Sequence, residues 1–172
     1  NDYENPDTVK IVNGKFSFAG TTDRYNMISI QVPPSRSQRI IIEPGDITVE
    51  HDSKTNVYRL GGSNLNIRFQ KIEDVLKPNA EKMREINALY AKAEGDERTR
   101  LWWELDKLRK QKFAILRYTI TSDDSYAGFM QSLTVMNHES AENVKRYLDL
   151  FKRYSDDPRY KRVEQTYKGY AA

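Results

Sequence analysis

Leu60-Gly61-Gly62-Ser63-Asn64-Leu65 marks the point where the hydrophobic period of this chain changes. Upstream, apolar residues alternate with polar ones, the period of a half-buried strand. Downstream, Leu65, Phe69, Ile72, Leu76, Met83, Ile86 and Tyr90 step by fours and threes, with one longer step that passes over Asn79. That is a heptad-like helical seam. The two glycines end the last strand, and Ser63 is suited to cap the helix that follows. Backbone N–H groups of the Gly-Gly-Ser run could hold an anion. The run lacks the Gly-x-x-x-x-Gly-Lys spacing of a phosphate loop, so a strand-to-helix joint is the expected role.

Working back from this joint, six short strands are expected. Val9 and Ile11, then Phe16 and Phe18, alternate with polar neighbours on either side of Asn13-Gly14. Asn-Gly is the favoured pair for a two-residue type I′ turn, because both positions need positive φ. With that turn Ile11 faces Phe16 and Val9 faces Phe18, all on one side of a hairpin. Further strands are expected at Tyr25–Val32, which stops at Pro33-Pro34, and at Gln38–Glu43. Pro44-Gly45 fits the centre of a type II turn. Ile47–His51 and Asn56–Leu60 flank the polar stretch Asp52–Thr55, another hairpin signal. Together these predict an antiparallel meander closing into a small sandwich or open barrel.

Forward from the joint, the pattern predicts helices throughout. Pro78 lies within the first, where it removes a donor and crowds the carbonyl four residues back, so a kink or break is expected near Leu76–Asn79. Gly95 is expected to close that helix and Asp96 to cap the next, on which Leu101, Leu105, Leu108, Ile115 and Leu116 line one side and Trp102 joins the core. So short a connection makes an antiparallel helix hairpin. Three shorter helices follow, after Asp123-Asp124-Ser125, after Ser140 (a weaker cap box with Asn143), and after Asp157-Pro158. The last carries Tyr160, Val163, Tyr167 and Tyr170. The expected class is α+β: an antiparallel β domain over 1–62 and a helical region over 63–172.

Composition supports this and excludes several alternatives. Of 172 residues, 38% are hydrophobic and 31% charged, a balance that suits helices with wide solvated faces. No apolar run approaches the length of a membrane span. Eleven Tyr, six Phe and two Trp need somewhere to pack, which argues against disorder. The net charge of +3 is too mild to imply nucleic acid. The clusters Lys107, Arg109, Lys110, Lys112 and Arg159, Lys161, Arg162 are interrupted by acids and read as solvated helix faces, an anionic partner being the alternative. Cysteine is absent, which excludes disulfides, thiolate nucleophiles and thiolate metal sites. The chain begins at Asn1, which reads as a trimmed or processed product, so the absence of a targeting signal carries no weight.

Candidate chemistry is sparse. The two histidines, His51 and His138, have no metal-ligand spacing and read as surface residues. Asp123-Asp124 is the sharpest acidic pair; a cation or acid/base role competes with helix capping, where carboxylates meet orphan N–H groups and the positive end of the dipole. Trp103 points about a hundred degrees from Trp102 and is expected near the surface or against the β domain, where it could stack on a sugar or partner. No catalytic residue, cofactor or metal is assigned. Trp103, Asp123 and Asp124 are the candidate partner surface.

Several of these signals also carry a resemblance. Asp7-Thr8-Val9, Val12-Asn13-Gly14-Lys15-Phe16-Ser17-Phe18-Ala19-Gly20, Ile42-Glu43-Pro44-Gly45-Asp46, and Leu60-Gly61-Gly62-Ser63 with Asn66 three residues on, together resemble the DUF4369 domain. That domain stands at the N-terminus of many exported thioredoxin-like proteins of Bacteroidetes. Asp123-Asp124-Ser125-Tyr126-Ala127-Gly128 looks like the stretch those proteins carry just before their thioredoxin fold, with Ser122-Asp123 where Asn-Pro or a similar pair is usual. Family members usually begin with one or two strands before the region matching Asp7, so the β domain is expected to lack its first strand or strands.

The resemblance implies a non-catalytic accessory domain. It would position, or select partners for, a covalently linked C-terminal thioredoxin-like domain whose Cys-x-x-Cys site lies beyond this chain. The implied location is the periplasm or an anchor at the outer membrane. A homodimer stays open as a further partner; no nucleic acid and no direct membrane span are expected. The alternative is a cell-envelope binding module for glycan or peptide. An enzyme in its own right would have only Asp123-Asp124 to work with.

Overall fold

The computed structural model describes residues 7–34 and 37–171, without the side chains of Tyr170 and Ala171. Tyr170, the last position of the final helical stripe, and Ala172, the end of the helical region, therefore lie outside the described side chains. The class is α+β, with antiparallel strands first and helices after.

Four strands form two separate hairpins. β1 (Asn26–Ile30) pairs with β2 (Gln38–Ile42), Met27 facing Ile41 and Ile28 facing Ile40. β3 (Thr48–Asp52) pairs with β4 (Val57–Gly61), Val49 facing Leu60. The β3–β4 loop closes as its composition predicts. Asp52 accepts from the Lys54 and Thr55 N–H groups, and Asn56 takes φ +54°. No ladder joins β2 to β3 among the described residues, so the expected single meander is two two-stranded sheets. The Asn13-Gly14 turn forms with φ of +50° and +73°, but it closes one bridge, Val12 to Lys15, and no longer ladder. Val9, Ile11 and Phe18 are exposed and Phe16 is half-buried, so the expected apolar face of that hairpin is not covered.

Gly62 makes the joint. Its φ is +79°, and a Cβ there would lie 2.4 Å from the Asp46 carbonyl oxygen. Ser63 then caps α1 (Asn64–Tyr90), its hydroxyl accepting from the Asn66 N–H. The Glu43 carboxylate accepts from the Leu65 N–H, a second partner for the orphan donors of that first turn.

Asn66 is fully buried and faces the free edge of β2. The Ile41 N–H donates to Asn66 Oδ1 (2.9 Å), and Asn66 Nδ2 donates to the Ile41 carbonyl (2.7 Å). These are the groups that Ile41 turns away from β1. One turn on, Gln70 Oε1 accepts from the Leu60 N–H on β4 (3.2 Å). The first turns of α1 thus clasp both hairpins.

The proline does not break the helix: α1 runs unbroken through Pro78. Its packing against α2 (Gly95–Ser122) spans the proline, and Asn79 Nδ2 donates across to the Leu108 carbonyl (3.0 Å). Asn79 fills the seam position that the apolar pattern passes over. The hairpin joint also differs from expectation. Ala91 is the C-cap of α1, Gly95 is already the first residue of α2 with φ +55°, and Asp96 lies in the first turn instead of capping it.

α3 (Tyr126–Val135), α4 (Ala141–Leu150) and α5 (Pro158–Ala171) complete the fold. Ser140 caps α4 through the Asn143 N–H, and the buried Glu139 carboxylate joins Arg117 on α2 to the Asn143 amide. The main core gathers Ile40, Ile41 and Leu60 from the sheets, Phe69, Ile72 and Leu76 from α1, Leu116 and Ile120 from α2, and the aromatics of α3 to α5. A second, small cluster of Ile86, Leu101 and Leu105 holds the distal half of the α1–α2 hairpin, which projects as a two-helix arm.

Asn66→Leu is expected to strip Ile41 of both partners in a buried setting. Each orphaned group costs on the order of 1–3 kcal/mol, so urea unfolding should show a loss of about 2–6 kcal/mol. A loss within error would mean that Ile41 does not depend on the amide.

Candidate functional site

The three residues singled out from the sequence do not share a surface. Trp103 lies in the first turns of α2, near the arm's tip, and Asp123 immediately follows that helix. Twenty residues of helix separate them, about 30 Å at 1.5 Å per residue. Trp103 is 60% exposed. Trp102, expected in the core, is 44% exposed and meets Trp103 edge to face, with ring centroids 4.6 Å apart. The reason is geometric: Leu101 faces α1, Trp102 points about a hundred degrees away, and the arm has no third helix on that side.

Asp123 and Asp124 serve separate roles. Asp123 Oδ1 accepts from the Ser125 N–H (2.9 Å) and pairs with Arg68 of α1 (3.3 Å). Its carbonyl oxygen lies against Gly128, where a Cβ would come within 1.9 Å. Asp124 is exposed and ion-paired with Arg153, which also donates to the Asp124 carbonyl. Each carboxylate is thus held by a different arginine. The capping expected of the pair is not observed: Asp123 closes a turn on the Ser125 N–H, and Ser125, the N-cap residue of α3, makes no side-chain cap bond.

The densest polar site in the described structure centres on Tyr126. Its ring is buried against Tyr25, Phe129 and Tyr154. The phenol donates to Asp157 Oδ2 (2.7 Å), with the Tyr25 carbonyl 3.2 Å away, and accepts from Arg159 Nη1 (2.8 Å). Asp157 also accepts from the Arg159 N–H (2.8 Å), opening α5, and pairs with the Arg159 side chain (3.1 Å). Arg159 reaches on to Asn26 at the start of β1. One network therefore ties the β domain, α3 and α5 together. Burial, and then the hydrogen bond to Asp157, raise the Tyr126 phenol well above its usual range. Burial likewise raises Tyr147, Tyr154 and Tyr160.

Sequence reading placed Arg159 on a solvated face and did not find this network. Asp157-Pro158 was the available signal, since it marks a helix start with a capping carboxylate. The partners come from positions more than a hundred and about thirty residues away, which no local pattern reveals.

The histidines are apart. His51 stacks on Tyr58 (4.4 Å between centroids) and His138 lies against Phe113 (5.0 Å). Among the described residues no three His, Asp or Glu side chains gather as a metal ion would need. Among the same residues no helix is long and apolar enough to cross a membrane.

Residues 1–69 match the family described as "Domain of unknown function (DUF4369)". The match covers the strands, the Gly-Gly-Ser joint and the first turns of α1, including Asn66. No curated protein and no solved structure matches the chain.

Gly128→Ala should cost about 1–3 kcal/mol or more, the range for overpacking, because the added methyl meets backbone that other contacts hold. Thermal unfolding checks it, and an unchanged midpoint would show that α3 can shift away from Asp123. The tyrosines predict an alkaline limit. A phenol whose folded pKa is raised contributes stability that is complete below its unfolded value, near 10, and that is lost as pH rises through the folded one. The urea midpoint should therefore fall above about pH 10. Tyr126→Phe should lower stability at neutral pH and make the alkaline fall shallower; an equal slope in both proteins would remove Tyr126 from its cause.

Proposed function

We propose that this chain is a non-catalytic accessory unit of an exported thioredoxin-like protein, and that it positions or selects partners for a C-terminal redox domain. The observation that carries the reading is the Tyr126–Asp157–Arg159 network. It fixes the last helix, α5, to both β1 and α3, so that α5 belongs to the body of the fold instead of hanging from it. A domain covalently continuous with α5 would inherit that orientation.

Two further points support the reading. The family match over the β domain and the first turns of α1 falls on the segment whose resemblance suggested this context. The chain also contains no cysteine, so thiol–disulfide chemistry would be supplied by the linked domain. On this reading the unit works in the periplasm or at the outer membrane. A second reading, an envelope module for glycan or peptide, draws on the exposed Trp102–Trp103 pair.

The test is made in the parent protein. The reading frame should continue past Ala172 into a Cys-x-x-Cys domain. Removing residues 1–172 should leave reduction of a small-molecule disulfide unchanged and slow reduction of a protein disulfide several-fold. A frame without such a domain, or equal losses on both substrates, would sink the proposal.

A further inference from the structure

Of the eleven asparagines in the chain, Asn13 alone is followed by glycine. The pair forms the first turn, with φ +50° at Asn13 and +73° at Gly14. Both residues are exposed. Two backbone hydrogen bonds between Val12 and Lys15, 2.9 and 3.0 Å long, close the turn, and no ladder extends them. Among the described residues, neither the Asn13 side chain nor the Gly14 N–H has a hydrogen-bond partner. A Cβ built at Gly14 would meet nothing within 4 Å, so the space beside this peptide is open.

An asparagine side chain is an electrophile within reach of the next main-chain nitrogen. When the Gly14 nitrogen attacks Asn13 Cγ, a five-membered imide forms. The N–Cγ bond is made, the Cγ–Nδ2 bond breaks, and the amide proton leaves with ammonia. Water then opens the imide at either carbonyl. Opening at Cγ gives aspartate. Opening at the main-chain carbon gives isoaspartate, in which the chain runs through Cγ. A water is taken up, an ammonia is released, and no oxidant or metal is needed. Ring closure is intramolecular, so geometry sets its rate. A side chain on the following residue would crowd the nitrogen, and glycine has none.

The fold adds a gate. In a type I′ turn, ψ at the first central residue is about +30°, which puts the following nitrogen on the far side from Cβ. The turn must therefore open before the Gly14 nitrogen reaches Cγ. Opening is easy here, because it breaks two solvent-exposed hydrogen bonds and little apolar packing: Val9, Ile11 and Phe18 are already exposed. Other asparagines are held or hindered. Asn66 is buried with both amide atoms engaged, and Asn79 is buried in the helix hairpin. Asn87 and Asn143 donate to Met83 and Glu139, and Asn56 precedes the β-branched Val57.

We propose that Asn13 is a site of spontaneous modification in the folded protein, converting to aspartate and isoaspartate at this exposed turn. Each conversion adds a negative charge to a chain of net charge +3. Aspartate tolerates the left-handed region and keeps the turn. Isoaspartate lengthens the main chain by a methylene and loses the Val12–Lys15 bridge. Aged protein then carries two forms of its first hairpin. The inference stands apart from the accessory role proposed above.

The test incubates the full chain at neutral and mildly alkaline pH, with a synthetic peptide of residues 9–18 as the ungated reference. Ion-exchange chromatography and peptide mapping follow both. An acidic form should accumulate, with the amide-to-acid mass change at Asn13, ammonia released in step, and an isoaspartate that a protein isoaspartyl methyltransferase accepts. The rate should rise with pH, since the nitrogen must lose its proton, and be no more than about a hundredfold slower than in the peptide. Asn13→Gln, which demands a six-membered ring, should slow conversion at this position at least about tenfold. An intact Asn13 after the peptide is spent would overturn the proposal. So would conversion led by another asparagine, or a rate at this position unchanged by Asn13→Gln.

Discussion

The fold depends on a side-chain amide that behaves as a third strand. A two-stranded hairpin is marginal alone, because each strand has an unpaired edge. Asn66 presents an acceptor and a donor to the Ile41 N–H and carbonyl, in the way a neighbouring backbone would. Gln70, one turn further along α1, gives Leu60 of the other hairpin an acceptor. The four-residue spacing of a helix thus reaches two sheets that share no ladder. With Ser63 and Glu43 satisfying the first N–H groups of α1, the helix start and both sheet edges are solved by one small set of contacts. Once α1 is set, Phe69, Ile72 and Leu76 face the space that Ile40, Ile41 and Leu60 enclose.

The remaining helices build outward from that face around aromatic rings. Among Tyr126, Phe129, Phe151 and Tyr154, ring centroids lie between 5.2 and 6.5 Å apart, in tilted, stacked and edge-to-face arrangements. Such rings supply much apolar area per residue, which suits a chain with a modest hydrophobic share. Gly128 allows α3 to start hard against the Asp123 carbonyl. The Tyr126 phenol keeps one polar end within this apolar cluster, and Asp157 and Arg159 complete it.

Much of the architecture was legible because it rests on local rules. Asn13-Gly14 makes its turn, Ser63 and Ser140 cap their helices, and Asp157-Pro158 opens α5, each decided within a few residues. What was not legible depends on what lies opposite. Asn66 reads as an ordinary first-turn residue until Ile41 is placed beside it. Trp102 reads as core beside Leu101, but burial needs a third neighbour that the arm lacks. Pro78 reads as a kink or break, yet α1 continues through it, packed on α2. The four strands have the alternation of a meander, but the outward groups of Ile41 on β2 are taken by the Asn66 amide and not by a further strand. Trp103, expected near the surface or against the β domain, is exposed.

Asn79 has a dynamic consequence. It occupies the seam between the main core, which ends at Leu76, and the distal cluster of Ile86, Leu101 and Leu105. A polar layer there, beside a proline that cannot donate to its helix, divides the hairpin into two cooperative units. The distal turns rest on the small cluster of Ile86, Leu101 and Leu105. They would open and reclose while the body stays folded, so amides near the tip would exchange with solvent at a free-energy cost below that of global unfolding. Opening of that kind would leave the clasp at Asn66 intact.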